Sequence, residues 1–288
     1  MTTHVRRAAA LCALAASSVA LAACGSTEPG HAPRPAPSAP SATASEAAPS
    51  RPPTLAPGPA GLTPVFEHGP RADGRTVALT FDADMTADQG PRAAAGERFD
   101  NPALIATLRK LEVPATVFMT GRWAEEYPDA ARSIGRDPRF EIANHSYSHY
   151  AFTDDCYGLP TVPEERMRSD VERAYAAFRE AGVPDPMPYF RFPGGCHDTA
   201  ALKALTAAGV TAVQWDVVSG DAFATDADAV ARQVLDGVQP GSVVVMHCTR
   251  SAAPVTEEAV RKIVPELRRQ GYRFVKVSEL IGAANGRR

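Results

Sequence analysis

The 288-residue chain has no excess of basic charge: 30 Lys and Arg stand against 33 Asp and Glu, a formal net charge of -3. Proteins that bind nucleic acid usually carry a basic face or stripe, so no nucleic acid partner is expected and a neutral or locally read substrate fits better. The five cysteines show no paired C-x-x-C spacing, which argues against a structural zinc site. No internal repeat is visible. The Ala/Leu-rich run over residues 8 to 22 falls short of the roughly 20 apolar residues that a membrane-spanning helix needs.

That short run follows Arg6 and Arg7 and ends in small residues, which is the pattern of a secretory signal over residues 1 to 23. Its end, Leu21-Ala22-Ala23-Cys24-Gly25-Ser26, looks like a bacterial lipobox, with cleavage before Cys24 and lipid added to its sulfur. Two acyl chains there would hold the protein on the outer face of the cell membrane, because each buried methylene contributes about 0.8 kcal/mol. Cys12 leaves with the signal. Cys156, Cys196 and Cys248 then remain in a compartment that permits disulfides, and an odd number allows at most one internal pair.

Large apolar side chains are nearly absent from residues 25 to 62, which are dominated by Pro, Ala and Ser. Such a stretch cannot bury enough surface to offset its ordering entropy, so a semi-extended, disordered linker over residues 24 to 62 is expected. A catalytic domain over residues 63 to 288 follows. From Arg75 onward, short β-branched runs alternate with amphipathic segments. Strands are predicted at 76–81, 115–119, 140–143, 189–192, 210–215, 242–246 and 272–277, with helices at 102–112, 164–181, 198–208, 226–237 and 256–270. This β/α alternation implies a parallel sheet in an α/β fold, either an open doubly wound sheet or a closed or distorted barrel. Asp82, His145, Arg191, Asp216 and His247 each end or follow a different apolar run, and a barrel would gather them on one rim.

Taken singly, these residues have ordinary readings. His145 and His149 in Asn144-His145-Ser146-Tyr147-Ser148-His149 share a face if the segment turns helically, and can then clamp one metal ion; many such pairs are merely packed or solvated. Asp82 and Asp84 in Thr80-Phe81-Asp82-Ala83-Asp84 are a base and ligand, or turn and cap residues. Arg191 in Phe190-Arg191-Phe192-Pro193-Gly194-Gly195 is a carboxylate partner beside a Gly-rich turn whose N–H groups can approach an oxyanion, or a surface residue at a strand end. Trp215 to Asp221 and Val243 to His247 again place polar residues at the ends of apolar runs.

In combination and in order, these five segments resemble the NodB-like polysaccharide deacetylases, also called carbohydrate esterase family four, over roughly residues 75 to 280. The resemblance implies a distorted (β/α) barrel of seven or eight parallel strands and a divalent metal, usually zinc, with cobalt or nickel sometimes accepted. It implies His145 and His149 as metal ligands, Asp82 as catalytic base, Arg191 as its partner, His247 as general acid and Asp221 as the carboxylate that orients His247. Pro193, Gly194, Trp215 and Met246 would line the substrate groove, with Met246 against the acetyl methyl group. Ala83 stands where the family usually has a ligating Asp, so Asp84 is expected to reach the ion instead. Gly194 and Ala222 replace two aromatics common in the family. A Cys156–Cys196 bridge would tie adjacent rim loops, with Cys196–Cys248 as the alternative. The implied substrate is an acetylated envelope polysaccharide, peptidoglycan or chitin-like, handled by a monomer. An O-acetyl esterase of xylan-like polymers and a metal-free glycan-binding module are the competing readings.

Overall fold

The computed structural model describes residues 51–286 apart from Asp73. The secretory signal over 1–23, lipidation at Cys24 and the greater part of the linker lie outside the described residues. The last part of that segment is packed rather than free. Leu55 donates its N–H to Thr211 Oγ1, Tyr189 Oη donates to the Pro53 carbonyl and Asn285 Nδ2 to that of Thr54. Contacts of the catalytic domain therefore reach back to Pro53, ten residues before the expected boundary, because a few main-chain groups suffice to anchor a segment that has little apolar surface to bury.

Nine strands run through the described residues: β1 (Val65–Phe66), β2 (Thr76–Ala83), β3 (Ala115–Met119), β4 (Phe140–Asn144), β5 (Tyr189–Phe190), β6 (Thr211–Val213), β7 (Val217–Val218), β8 (Ser242–His247) and β9 (Arg273–Phe274). Every strand pair is parallel, in the order β1-β6-β5-β4-β3-β2-β8-β7, with β9 beside β2. β6, next to the β1 end of that order, and β7, at the other end, are separated by only Gln214, Trp215 and Asp216. A single bent strand thus joins the two sides of a curled sheet, and counting it once gives eight parallel strands, the expected distorted barrel.

Two apolar layers follow from the two-residue period of the strands. Val77, Leu79, Phe81 and Ala83 of β2 face the outer helices, in a core with Val117, Val244, Met246, Ile263 and Leu267. The alternate residues point inward: Ala78, Phe118, Ala143 and Val243 fill the barrel, whose lower end is closed by Val277, Leu280 and Ile281. Burial on both faces explains why these strands read as near-continuous apolar runs. The helix Glu164–Ala181 has the predicted bounds and ends on Gly182 in the left-handed conformation. Predicted strands are cut short at 189–192, where pairing stops at Phe190, and at 272–277, where it stops at Phe274 and Val277 opens the helix Val277–Asn285. Helices Gly121–Glu126 and Pro128–Gly135 were not foreseen, being shorter than the window in which a 3.6-residue period becomes visible.

Candidate active site

The inward-facing residue at the top of β2 is Asp82, in register with Phe118 of β3 and His247 of β8. Its Oδ1 accepts a 2.7 Å hydrogen bond from Arg191 Nη1. The Arg191 side chain is fully buried. Its Nε donates to the Val213 carbonyl and Nη2 to that of Gln214, and its guanidinium lies 3.9 Å over the Phe118 ring. Burial lowers the Arg191 pKa from its ordinary value, and the Asp82 charge opposes that shift. Arg191 is thus the buried partner of Asp82 and no surface residue.

His145 follows β4, and its Nδ1 lies 2.9 Å from the Arg191 carbonyl. A carbonyl only accepts, so Nδ1 carries the proton and Nε2 keeps its lone pair. That Nε2 is 3.7 Å from Asp82 Oδ2. The two imidazoles meet with ring centroids 5.0 Å apart, though not through the helical turn that their spacing suggested. Ser146 and His149 adopt left-handed φ of 68° and 56° instead. Side chains impose this loop: Asn144 Oδ1 accepts from Ser146 N–H, Ser146 Oγ from His149 N–H, and Asp170 Oδ1 from the N–H groups of Tyr147 and Ser148. These local bonds compete with helical ones and win.

Ala83 is buried in the outer core, as the strand period requires. Asp84, past the strand end, brings its Oδ2 to 3.5 Å from His149 Nε2. Thr249 fixes it there, its Oγ1 bonding the Asp84 carboxylate and accepting the Asp84 N–H at 3.1 Å. Burial opposes ionisation of Asp84, but His149, His247, Thr249 and His145 outweigh it and lower its pKa. His149 is pushed down to about 4 by burial despite Asp84, so its imidazole is neutral at physiological pH.

Two imidazoles and a carboxylate have the donor chemistry for a zinc-like ion. Ligands about 2.0–2.2 Å from a tetrahedral ion stand about 3.4 Å apart, close to the Asp84–His149 separation. The Nδ1 hydrogen bond of His145 is the outer support that a ligating histidine uses. Among the described residues no three His, Cys, Asp or Glu side chains form a closed ligand set. The fit therefore rests on the pairs, with His145, His149 and Asp84 as the residues that would hold the ion.

On the neighbouring strand, His247 Nδ1 lies 2.8 Å from Asp221 Oδ1. Asp221 Oδ2 accepts from the His247 N–H and Thr256 Oγ1, and Ser219 Oγ donates to Oδ1. Burial alone would depress the His247 pKa, but the hydrogen bond and charge of Asp221, with Asp84 and Asp82, push it up to about 10. Burial opposes ionisation of Asp221, yet its bonds to His247 and Thr256 hold its pKa below the usual value. His247 gains its partner on folding, so its stabilisation is complete below about pH 6.5 and is lost as pH rises through about 10. In Asp221→Asn, the alkaline limb of both the stability curve and the pH–rate profile is expected to move toward neutrality by about 1–3 units. Urea midpoints and initial rates measured across that range test this, and an unmoved limb refutes the pairing.

The groove residues are placed less uniformly. Trp215 is half-buried beside Gly195, where a Cβ would come 2.5 Å from the indole, and Pro193 is buried. Exposed Gly194 adopts a φ of 66° that suits glycine. The Gly195 N–H is spent on the Phe192 carbonyl, so it offers nothing to an oxyanion. Met246 does not line the groove: the strand period turns it into the outer core, in register with Phe81, and puts Val245 on the face shared with His247. Cys156 and Cys196 form a disulfide with Cα atoms 5.9 Å apart, and Cys248 is a buried free thiol whose pKa burial raises to about 12. Thr249, Thr256 and Asp170 were missed in the sequence, because no periodicity or motif marks a residue whose partner is distant along the chain.

A cavity of about 220 Å³ opens beside Asp84, His149 and Thr249, with Leu159 and Phe223 also lining it. Residues 69–213 match the family profile described as polysaccharide deacetylase. A peptidoglycan-N-acetylglucosamine deacetylase of Bacillus cereus is 28% identical over 209 residues, 72% of this chain and 88% of the relative. The crystal structure of a peptidoglycan N-acetylglucosamine deacetylase superposes with a TM-score of 0.63 at 28% identity, covering 76% of this chain and 92% of that one. A mutant of a CE4 family pseudoenzyme with restored enzymatic activity superposes with a TM-score of 0.60 at 25% identity, covering 76% and 71%.

Proposed function

The chain belongs to the polysaccharide deacetylase family, hydrolases of carbon–nitrogen bonds other than peptide bonds, and from that premise we propose that it removes N-acetyl groups from an envelope amino-sugar polymer, peptidoglycan or chitin-like, and releases acetate. The observation that carries this reading is one rim on which a base paired with a buried guanidinium and a histidine paired with a buried carboxylate lie on neighbouring strands. Asp82 takes the proton of the attacking water as its oxygen adds to the acetyl carbon. Arg191 holds Asp82 in place through its hydrogen bond to Oδ1. His247 gives its proton to the nitrogen as the carbon–nitrogen bond breaks, and Asp221, bonded to Nδ1, orients the ring so that Nε2 is the donor. A divalent ion on His145, His149 and Asp84, zinc or else cobalt or nickel, would supply Lewis acidity for the carbonyl and acidify water toward neutral pH. The lipobox supports anchoring through Cys24 at the membrane, from which a Pro-rich segment would reach wall glycan.

Acetate release from isolated cell-wall polymer is the test. Incubation with a chelator is expected to abolish release, and added zinc or cobalt to restore it; release indifferent to both would remove the metal from the proposal. A panel of matched amide and ester substrates separates the N-deacetylase from an O-acetyl esterase. Ala83 favours one further reading, a glycan-binding module without metal, and elemental analysis of purified protein distinguishes it.

A further inference from the structure

Three large apolar side chains are exposed among the described residues: Tyr157 at 88%, Phe223 at 82% and Val218 at 51%. The two most open are aromatic, and both sit in the left-handed region, at φ of 51° and 60°. Each sits at a central position of a tight turn, where such a backbone occurs, but a large aromatic is an unusual occupant there and its exposed ring adds no packing to the fold. Neither ring is thrown out by a loose loop. Tyr157 follows Cys156, which is tied to Cys196, and Leu159 N–H closes the turn on the Cys156 carbonyl at 3.0 Å. Phe223 N–H donates to the Ala252 carbonyl at 2.6 Å, and Ala224 N–H to that of Asp221, the carboxylate that holds His247.

Phe223 belongs to the rim of the cavity beside Asp84 and His149, and Tyr157 lies two residues before Leu159, which also lines it. Tyr157 stands over the turn that follows Arg191: a Cβ on Gly194 would lie 3.4 Å from its ring. One ring flanks the base side and the other the acid side. A flat aromatic held in water beside a hydrolytic site suits the apolar C–H face of a pyranose ring, which leaves its hydroxyl groups in solvent. We propose that Tyr157 and Phe223 are the sugar-stacking platforms of this chain, binding pyranose rings of a β-linked glycan on either side of the residue that carries the acetyl group. The inference deepens the deacetylase reading and rests on it for the choice of ligand.

Calorimetry with a glucosamine pentamer, the fully deacetylated product that the enzyme does not turn over, measures the platforms directly. Phe223→Gly and Tyr157→Gly are each expected to weaken binding roughly three- to ten-fold, with Phe223→Trp and Tyr157→Phe retaining it. Glycine relieves the left-handed backbone, so both variants should melt no lower than the parent, which separates lost binding from lost folding. On the N-acetylglucosamine pentamer, the larger part of the change is expected in KM. Unchanged affinity in both glycine variants, or no affinity in the parent chain, overturns the platforms. Platform-dependent binding with no acetate released by the parent chain would instead uphold the platforms and sink the deacetylase reading.

Discussion

Asp82→Asn is expected to reduce the rate of acetate release by about 10²–10⁴-fold, the range that a positioned base contributes. The substitution is nearly isosteric. Its Oδ1 can still accept from Arg191 Nη1, which now stands 2.7 Å from the carboxylate, so the geometry of the rim should persist. What is lost is the proton acceptor: an amide nitrogen would turn N–H toward the His145 lone pair, where Oδ2 now sits 3.7 Å away. Initial rates at saturating polymer, on protein whose circular dichroism is native, make the measurement. A folded variant that keeps its rate would end the assignment of Asp82 as base, whatever the metal content.

Loss of stability is the second large effect. Arg191→Met is expected to destabilise the fold by about 3–5 kcal/mol, because it leaves the Asp82 carboxylate buried without its counter-charge. The guanidinium also binds the Val213 and Gln214 carbonyls and covers Phe118, so the methionine must additionally leave main-chain acceptors unpaired. Removing both charges in Asp82→Asn/Arg191→Met should recover part of the loss, since a buried pair is costly mainly when it is broken. Urea denaturation of both single variants and the double variant yields the coupling energy. A loss below about 1 kcal/mol in the single variant would mean that the pair is solvated, as exposed ion pairs are.

Much of this site was legible because strand ends are. Apolar runs such as Ala115–Met119 mark where a strand stops, and the polar residue that follows must lie on the rim. Asp82, Arg191 and His247 were placed by that rule, whereas Asp84, which lies beside His149, was expected there only from the family resemblance, as the next carboxylate after Ala83. Direction around the strand was harder. Met246 and Val245 are adjacent and equally apolar, and only the pairing with β2 reveals that Met246 faces Phe81 and the helices. The histidine loop was misread for a related reason. Spacing of four suits a helix, but Asn144, Ser146 and Asp170 offer the backbone other partners, and Asp170 lies 23 residues further on. The segment around Pro53 shows the same limit, since its anchors are carbonyl groups that composition cannot weigh.

The bent strand between Thr211 and Val218 has a consequence for how such an enzyme can vary. Its first half supplies the carbonyls that hold Arg191, and Ser219 and Asp221 just beyond its second half hold His247. In the proposed mechanism, proton uptake and proton delivery are therefore indexed to one short ruler. Lengthening that ruler by a single residue would throw acceptor and donor out of phase without altering either, whereas the loops at 150–163 can grow at no cost to that spacing.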